Sequence, residues 1–292
     1  MYKTVEEYLD ALKQEMQGVD SATIQDALVD AEEHLRTALE NDADGLPAII
    51  EQYGTPAETA AAYAEVERLT APALTGSATK KQGSRLGRFF AIYADPRAWG
   101  ALFYILIAFV TGIIYFTWAV TGVSLSVSLS IFIFGLPIAL LFLLSVRGIA
   151  WLEGRLVEAL LGVRMPRRSL PAPTNAKLLD RIKELVKDKH TWFSLVYMLV
   201  QFVLGTAYFV VIVTVFAFAL SAVAVPIVQE VFGLPVMQSV NSVNFHYFMP
   251  QWGYPLTVLA GFLLWTAMMH VIKFVGGLHG RFAKFMLITE QD

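Results

Sequence analysis

At 292 residues, 56% of them hydrophobic and with a mean hydropathy of +0.54, the chain is too apolar for an ordinary soluble domain of its size. Its net charge of −3 hides an uneven distribution, and the lack of cysteine excludes disulfides, thiolate nucleophiles and Cys-ligated zinc or iron–sulfur sites. An aromatic content of 13% suits the interfacial belts of a membrane protein.

The opening Met-Tyr-Lys-Thr-Val-Glu-Glu has no apolar signal-peptide region, so the first membrane span is expected to act as its own insertion signal. Residues 1–70 predict a small helical module. Thr4 and Glu7 form a capping box ahead of a stripe of Val5, Tyr8, Leu9, Leu12 and Met16. Asp20-Ser21 can cap a second helix with the stripe Ile24, Ala27, Leu28, Ala31, Leu35 and Ala38. A third helix over 47–53 ends at Gly54, and Thr55-Pro56-Ala57-Glu58 opens a fourth to about Leu69. Residues 1–79 hold sixteen Asp and Glu against four Lys and Arg, a net of −12, which argues against nucleic acid as a ligand. That acidity suits docking to a basic partner or to the chain's own basic segments, and equally suits ordinary solvated helix faces.

Residues 71–84 read as a flexible linker. Beyond it, Asp95 to Thr121 returns from Asp188 at a shift of 93. Asp95, Trp99, Leu102, Tyr104, Leu106, Phe109, Val110, Gly112, Tyr115, Phe116, Val120 and Thr121 each meet the same residue type. Chance pairing of apolar segments would give roughly two or three such identities, so the region is an internal duplication. Each copy is apolar for over twenty residues from its Trp, enough to cross a hydrocarbon core of about 30 Å. A second apolar run follows each, roughly 125–146 and 254–272, giving four spans in two hairpins. The hairpin ends match at a shift of 126, with Arg147 on Lys273, Leu152 on Leu278, Gly154 on Gly280, Arg155 on Arg281 and Leu161 on Leu287. The second hairpin therefore carries about 33 extra residues at its tip.

The eighteen Lys and Arg residues beyond position 79 all flank the spans at the chain's two ends and in the central segment, and none lies in a hairpin tip. The positive-inside rule then puts both termini and the centre in the cytoplasm and both tips outside, as expected for a multi-pass protein of a prokaryotic cell membrane. The flanks are amphipathic: Leu86, Phe89, Phe90 and Tyr93 before the first span, and Leu178, Leu179, Ile182, Leu185 and Val186 before the third. Ile149, Leu152, Leu156, Leu160 and Val163 follow the second, and Val275, Leu278, Phe282, Phe285 and Met286 the fourth. Each repeat is expected to be an entry helix on the membrane surface, a hairpin and an exit helix on the same surface. The fold class expected is all-α, with a first repeat over 85–163, a proline-rich loop over 164–175 and a second repeat over 176–292. Ser124, Ser126, Ser128 and Ser130 are expected to mark an interfacial turn, and Pro137 to kink the second span.

Asp95-Pro96 through Arg147, with Gly135-Leu136-Pro137-Ile138, Leu152-Glu153 and Leu160-Leu161-Gly162-Val163, followed by a second Trp-x-x-Leu-x-Tyr hairpin, resembles the "putative sensor" four-span membrane domain of bacteria and archaea. Tyr8-Leu9-Asp10-x-Leu12, Glu32-Glu33-His34-Leu35 and Gly54-Thr55-Pro56-Ala57-Glu58-x-Ala60 resemble the HAAS signalling module. The resemblance implies a sensing or regulatory role. No kinase, ATPase or DNA-binding module follows up to Asp292, so signalling is expected to pass through a partner protein bound by residues 1–70.

No catalytic or nucleotide-binding motif is present, and neither enzymatic activity nor a cofactor is expected. Five histidines are scattered, and His270 and His279 have no carboxylate nearby in sequence, so no metal site is expected. Polar residues within spans are costly and face a bundle interior, which makes Gln201 and His270 candidates for a ligand pocket or for a plain interhelical hydrogen bond. Gly112 and Gly205 are candidate close-packing positions. The insertion over 226–253 is apolar and aromatic, and Glu230, His246 and Trp252 make it a candidate signal-input site. The alternatives to a sensor are a small-molecule or lipid transporter or channel, and a lipid-binding scaffold packed as a homo-oligomer. Membrane lipids are partners in every case.

Overall fold

The computed structural model describes residues 2, 4–41, 45–75, 85–129, 131–132, 135–166, 178–238 and 246–288. By its contacts the chain divides into two compact units, Met1–Lys80 with Ile114–Val200 and His279–Asp292, and Lys81–Ile113 with Gln201–Leu278.

The module comprises α1 (Val5–Glu15), α2 (Ser21–Asn41), α3 (Leu46–Tyr53) and α4 (Pro56–Thr75). Its caps follow from the local sequence. Thr4 Oγ1 accepts from the Glu7 amide at 3.2 Å, and Asp20 Oδ1 accepts from the Ala22 amide at 3.0 Å. Thr55 and Glu58 satisfy each other: Thr55 Oγ1 accepts from the Glu58 amide at 3.3 Å, and Glu58 Oε2 accepts from the Thr55 amide at 2.8 Å. Those hydrogen bonds hold the Glu58 carboxyl below its ordinary value. The predicted stripes meet in one core of Tyr8, Leu12, Met16, Ala27, Ala31, Leu35, Ile49 and Ile50. Tyr8 threads through it, donating its hydroxyl to the Gly54 carbonyl at 2.9 Å. Gly54 there has φ of +114°, a conformation that L side chains rarely adopt. The fourth helix runs on from Leu69 to Thr75, into the expected linker; residues 76–84 lie outside those described.

A short α5 (Arg85–Phe90) and a 3-10 turn lead to α6 (Pro96–Leu129); α7 is Gly135–Leu161, α8 Leu178–Lys187, α9 Lys189–Phe232 and α10 Tyr254–Leu287. Four of these, α6, α7, α9 and α10, are long and apolar enough to cross a membrane, as the duplicated hairpins predict. The duplication also survives as matched local geometry. Asp95 and Asp188 cap α6 and α9, each Oδ1 accepting from the amide two residues on, Arg97 at 3.0 Å and His190 at 3.1 Å. The equivalent tryptophans fold back on the entry segments, Trp99 Nε1 donating to the Tyr93 carbonyl at 2.9 Å and Trp192 Nε1 to that of Val186 at 2.7 Å.

Several boundaries differ from expectation. Residues 125–129 complete α6, and the second span begins at Gly135. The reversal depends on that glycine: a Cβ on Gly135 would lie 1.8 Å from the Leu129 carbonyl oxygen. Ser124, Ser126 and Ser128 are therefore helical rather than part of a turn, while Ser130 lies outside the described residues. Pro137 is the third residue of α7, in a first turn that has no amide partner to lose, so it starts the span instead of kinking it. The exit segments are continuous with α7 and α10, because nothing between Val146 and Leu152, or between Ile272 and Leu278, breaks a helix. Residues 167–175 of the central loop are not among those described.

Part of the extra length lies in the helices on either side. The shift of 93 carries the end of α6 at Leu129 to position 222, whereas α9 continues through Pro226 to Phe232. The shift of 126 carries the start of α7 at Gly135 to Gly261, whereas α10 starts at Tyr254. About half of the extra residues therefore lengthen helices. The remainder includes an antiparallel pair, β1 (Met237–Gln238) and β2 (His246–Tyr247), with Met237 opposite Tyr247; residues 239–245 are not described.

Candidate functional site

A polar side chain inside an apolar helix bundle costs several kcal/mol unless it is hydrogen-bonded, so buried polar residues locate the chemistry of such a chain. Within the first unit one cluster draws a residue from each of the four long helices. Glu153 on α7 is 1% exposed, and its two carboxylate oxygens accept separately: Oε2 from the Tyr115 hydroxyl of α6 at 2.9 Å, and Oε1 from the Tyr197 hydroxyl of α9 at 2.9 Å. Tyr197 also lies 3.3 Å from Nε2 of His279 on α10. Tyr197 and His279 are as buried as Glu153. Phe282 stacks on the Tyr197 ring at a centroid distance of 5.8 Å, and Tyr115, Phe142, Val146, Leu195 and Met198 form the apolar packing beside the cluster.

The surroundings fix these positions. Gly154 sets α7 against Met165, and Gly280 sets α10 against Val163, whose methyl would be 2.7 Å from an added Cβ. Arg155, two residues beyond the carboxylate, turns away to the carbonyls of Met165 and Pro166 and to Glu158. Arg147 is bound to Asp188 at 2.6 Å. Charge-assisted hydrogen bonds to a carboxylate are worth about 1.5–3 kcal/mol each, so the two phenols offset much of the cost of burying Glu153.

None of the residues expected to form a site belongs to this cluster. Gln201 is fully buried in the second unit, where Nε2 donates to the Tyr104 hydroxyl at 3.4 Å. His270 is stacked on Phe89 and shares a 2.9 Å hydrogen bond between Nε2 and the Phe89 carbonyl. The two are thus held by different partners, Gln201 between spans and His270 against the entry helix. Gly112 and Gly205 face reciprocal backbone: an added Cβ would lie 2.9 Å from Phe202 Cα at the first and 2.5 Å from the Ala108 carbonyl oxygen at the second. Glu230 accepts from the Tyr254 hydroxyl at 2.8 Å and from Gln251 Nε2 at 3.2 Å, which joins the two extended helix ends. His246 is exposed on β2, and Trp252 is 75% exposed.

Sequence reasoning passed over Glu153 because it read Leu152-Glu153 only as a motif, and passed over His279 because no carboxylate is near it in sequence. The signal was present in the repeat: the shift of 126 superposes Glu153 on His279, the one place where the matched exit segments carry two different buried polar groups.

Four spanning helices joined around a buried carboxylate, with a capped helical module ahead of them, define an all-α multi-pass membrane protein. The family described as "Putative sensor" matches residues 104–287, well over half of the sequence, and the chain belongs to that family. The HAAS family matches residues 7–62. These matches support a sensory or signalling role in general; neither family is known as an enzyme family, and HAAS domains generally work with partner regulatory proteins. Comparison with curated proteins and with solved structures gave no match.

Proposed function

We propose that the chain is a non-catalytic membrane relay: a signal received by its membrane or extracytoplasmic part alters the acidic N-terminal module, which acts on a cytoplasmic protein partner. In this reading the protein lies in a prokaryotic cell membrane with both termini cytoplasmic. The observation that carries it is the ion pair between Asp20 and Lys284. Asp20 caps α2 of the module and Lys284 lies in the last turn of α10, so one charge contact ties the module to a membrane helix. Asp20 uses Oδ1 for the cap and Oδ2 for the lysine, and a change in α10 therefore bears on the first turn of α2.

Asp20→Asn separates the two roles, since asparagine caps a helix as well as aspartate but carries no charge. Purified in mild detergent, the full chain is expected to retain a soluble regulator that is lost on deleting residues 1–70 and weakened in D20N and K284Q. A regulator retained equally by all four proteins would overturn the relay. Solute flux through vesicles reconstituted with the chain alone would favour a transporter. Cysteines at Ser77 and Pro173 should be labelled only after the membrane is breached, and one at Ser242 from outside; all three positions lie outside the described residues. Labelling of Ser77 in intact cells would reverse the topology.

A further inference from the structure

We propose that Glu153 is a proton-binding site, and that Tyr197 passes its occupancy to His279 and so to α10. The ligand is a proton, and the downstream effect rests on the relay reading above.

The geometry supports this in three steps. First, an ionised carboxylate only accepts hydrogen bonds, and both oxygens of Glu153 are engaged that way, by Tyr115 and Tyr197. Second, a protonated carboxyl has one O–H to donate, and a phenol oxygen can accept it once that phenol reverses. Tyr197 is the phenol with somewhere to turn: its oxygen can accept from Glu153 while its own O–H donates to Nε2 of His279, 3.3 Å away. Tyr115 meanwhile keeps its bond to the other oxygen. With His279 carrying its ring proton on Nδ1 before and after, one proton enters from the medium, none is released, and no covalent bond changes except the new O–H on Glu153. Third, the reversal requires the His279 tautomer with Nε2 unprotonated, which binds the ring state of an α10 residue to the charge of an α7 residue. His279 lies five positions before Lys284, just over one turn along the same helix.

Among the described residues, Tyr115 and Tyr197 are hydrogen-bonded to Glu153, and His279 adjoins it through Tyr197. The cations nearest in sequence are directed elsewhere, Arg155 to Met165, Pro166 and Glu158, and Arg147 to Asp188. Exchange of one proton for one reversed hydrogen bond is the smallest change that reaches three helices together.

The test uses the full chain in detergent and in lipid vesicles, titrated over about pH 4 to 9, a window that takes in the ordinary carboxyl and imidazole values. Infrared difference spectra are expected to show a protonated-carboxyl stretch in the wild type that is absent from Glu153→Gln. Amide exchange at Ala22 and Thr23, the first turn of α2, is expected to change about fivefold across the same transition, as for loss of one hydrogen bond. Tyr197→Phe should keep the stretch and lose the exchange response; Tyr115→Phe should keep both, which also shows that removing a phenol is tolerated. If no such stretch distinguishes wild type from E153Q, Glu153 takes up no proton and the proposal fails. An α2 response persisting unchanged in a folded E153Q would overturn it too while leaving the relay intact. A titrating stretch with no α2 response in the wild type would uphold the proton site and sink the relay.

Discussion

At the scale of single residues, the duplication does its tightest work at two glycines. Gly112 and Gly205 are equivalent in the repeat, and each faces the other helix's backbone rather than a side chain that could move aside. Replacing Gly205 with Leu is therefore expected to destabilise the purified protein by about 1–3 kcal/mol, the usual range for overpacking, read as a lower thermal midpoint in detergent. An unchanged midpoint for both G205L and G112L would mean the close approach contributes nothing. At Thr55 the expectation is about 1 kcal/mol for Thr55→Ala, because the hydroxyl that accepts from the Glu58 amide and donates to its carboxylate is lost while the Thr55 amide keeps its bond to Glu58, and the loss should show in urea unfolding of the module. These positions were legible in the sequence because a cap or a repeated glycine states its own requirement. Glu153 was not: which side chains meet across helices depends on how the repeats face each other, and helical periodicity gives only the face of each helix.

At the scale of elements, the two repeats are pinned to each other by the same device used twice. Asp95 of the first repeat caps α6 and binds Lys273 of the second at 2.5 Å, while Asp188 of the second caps α9 and binds Arg147 of the first at 2.6 Å. The sequence displayed both correspondences, Asp95 with Asp188 and Arg147 with Lys273, but not that they would pair crosswise. Burial raises the Asp95 carboxyl, yet the Lys273 hydrogen bond, the Arg97 amide and the two positive charges outweigh it, so its pKa sits below the ordinary value. A depressed carboxyl contributes stability above its unfolded value of about 3.9 and loses it as the pH falls through the folded value. Thermal midpoints of the wild type should therefore drop on acidification below about pH 4, and Asp95→Asn should start lower and show a shallower drop. Equal acid limbs in the two proteins would show that the pair is solvent-screened and contributes little. Swapping the charges as Asp95→Lys with Lys273→Asp should restore less than the wild-type midpoint, because lysine cannot cap α6.

At the scale of the whole molecule, the asymmetry between matched hairpins remains to be explained, and the insertion over 226–253 is where it resides. Its composition announced an apolar segment outside the spans, and its length difference was readable from the two shifts. What could not be read was that α9 would run on into it as far as Phe232, since Pro226 argues locally against that continuation. Two ties hold the extension: Gln229 bonds the Met249 backbone in both directions, its Oε1 accepting at 3.0 Å and its Nε2 donating at 3.3 Å, and Glu230 binds Tyr254 and Gln251. An aromatic-rich tip of this kind, with Phe232, Phe248 and Trp252 exposed, fits the headgroup region better than open water. Two shortened proteins separate a lid from a sensor. The first replaces only the connection 233–253 with the short first-hairpin tip; the second also trims the helix extensions to the limits set by the first repeat. If the tip is a lid, the first variant should lower the thermal midpoint and leave the response of the module's amides to the input unchanged. If the tip receives the signal, the first variant should fold and lose that response. The second variant asks what the extensions do once Met249 and Gln251, partners of Gln229 and Glu230, are gone: a midpoint equal to that of the first variant would show that the extensions only carry the connection, and a further fall would show that they brace the hairpin by themselves.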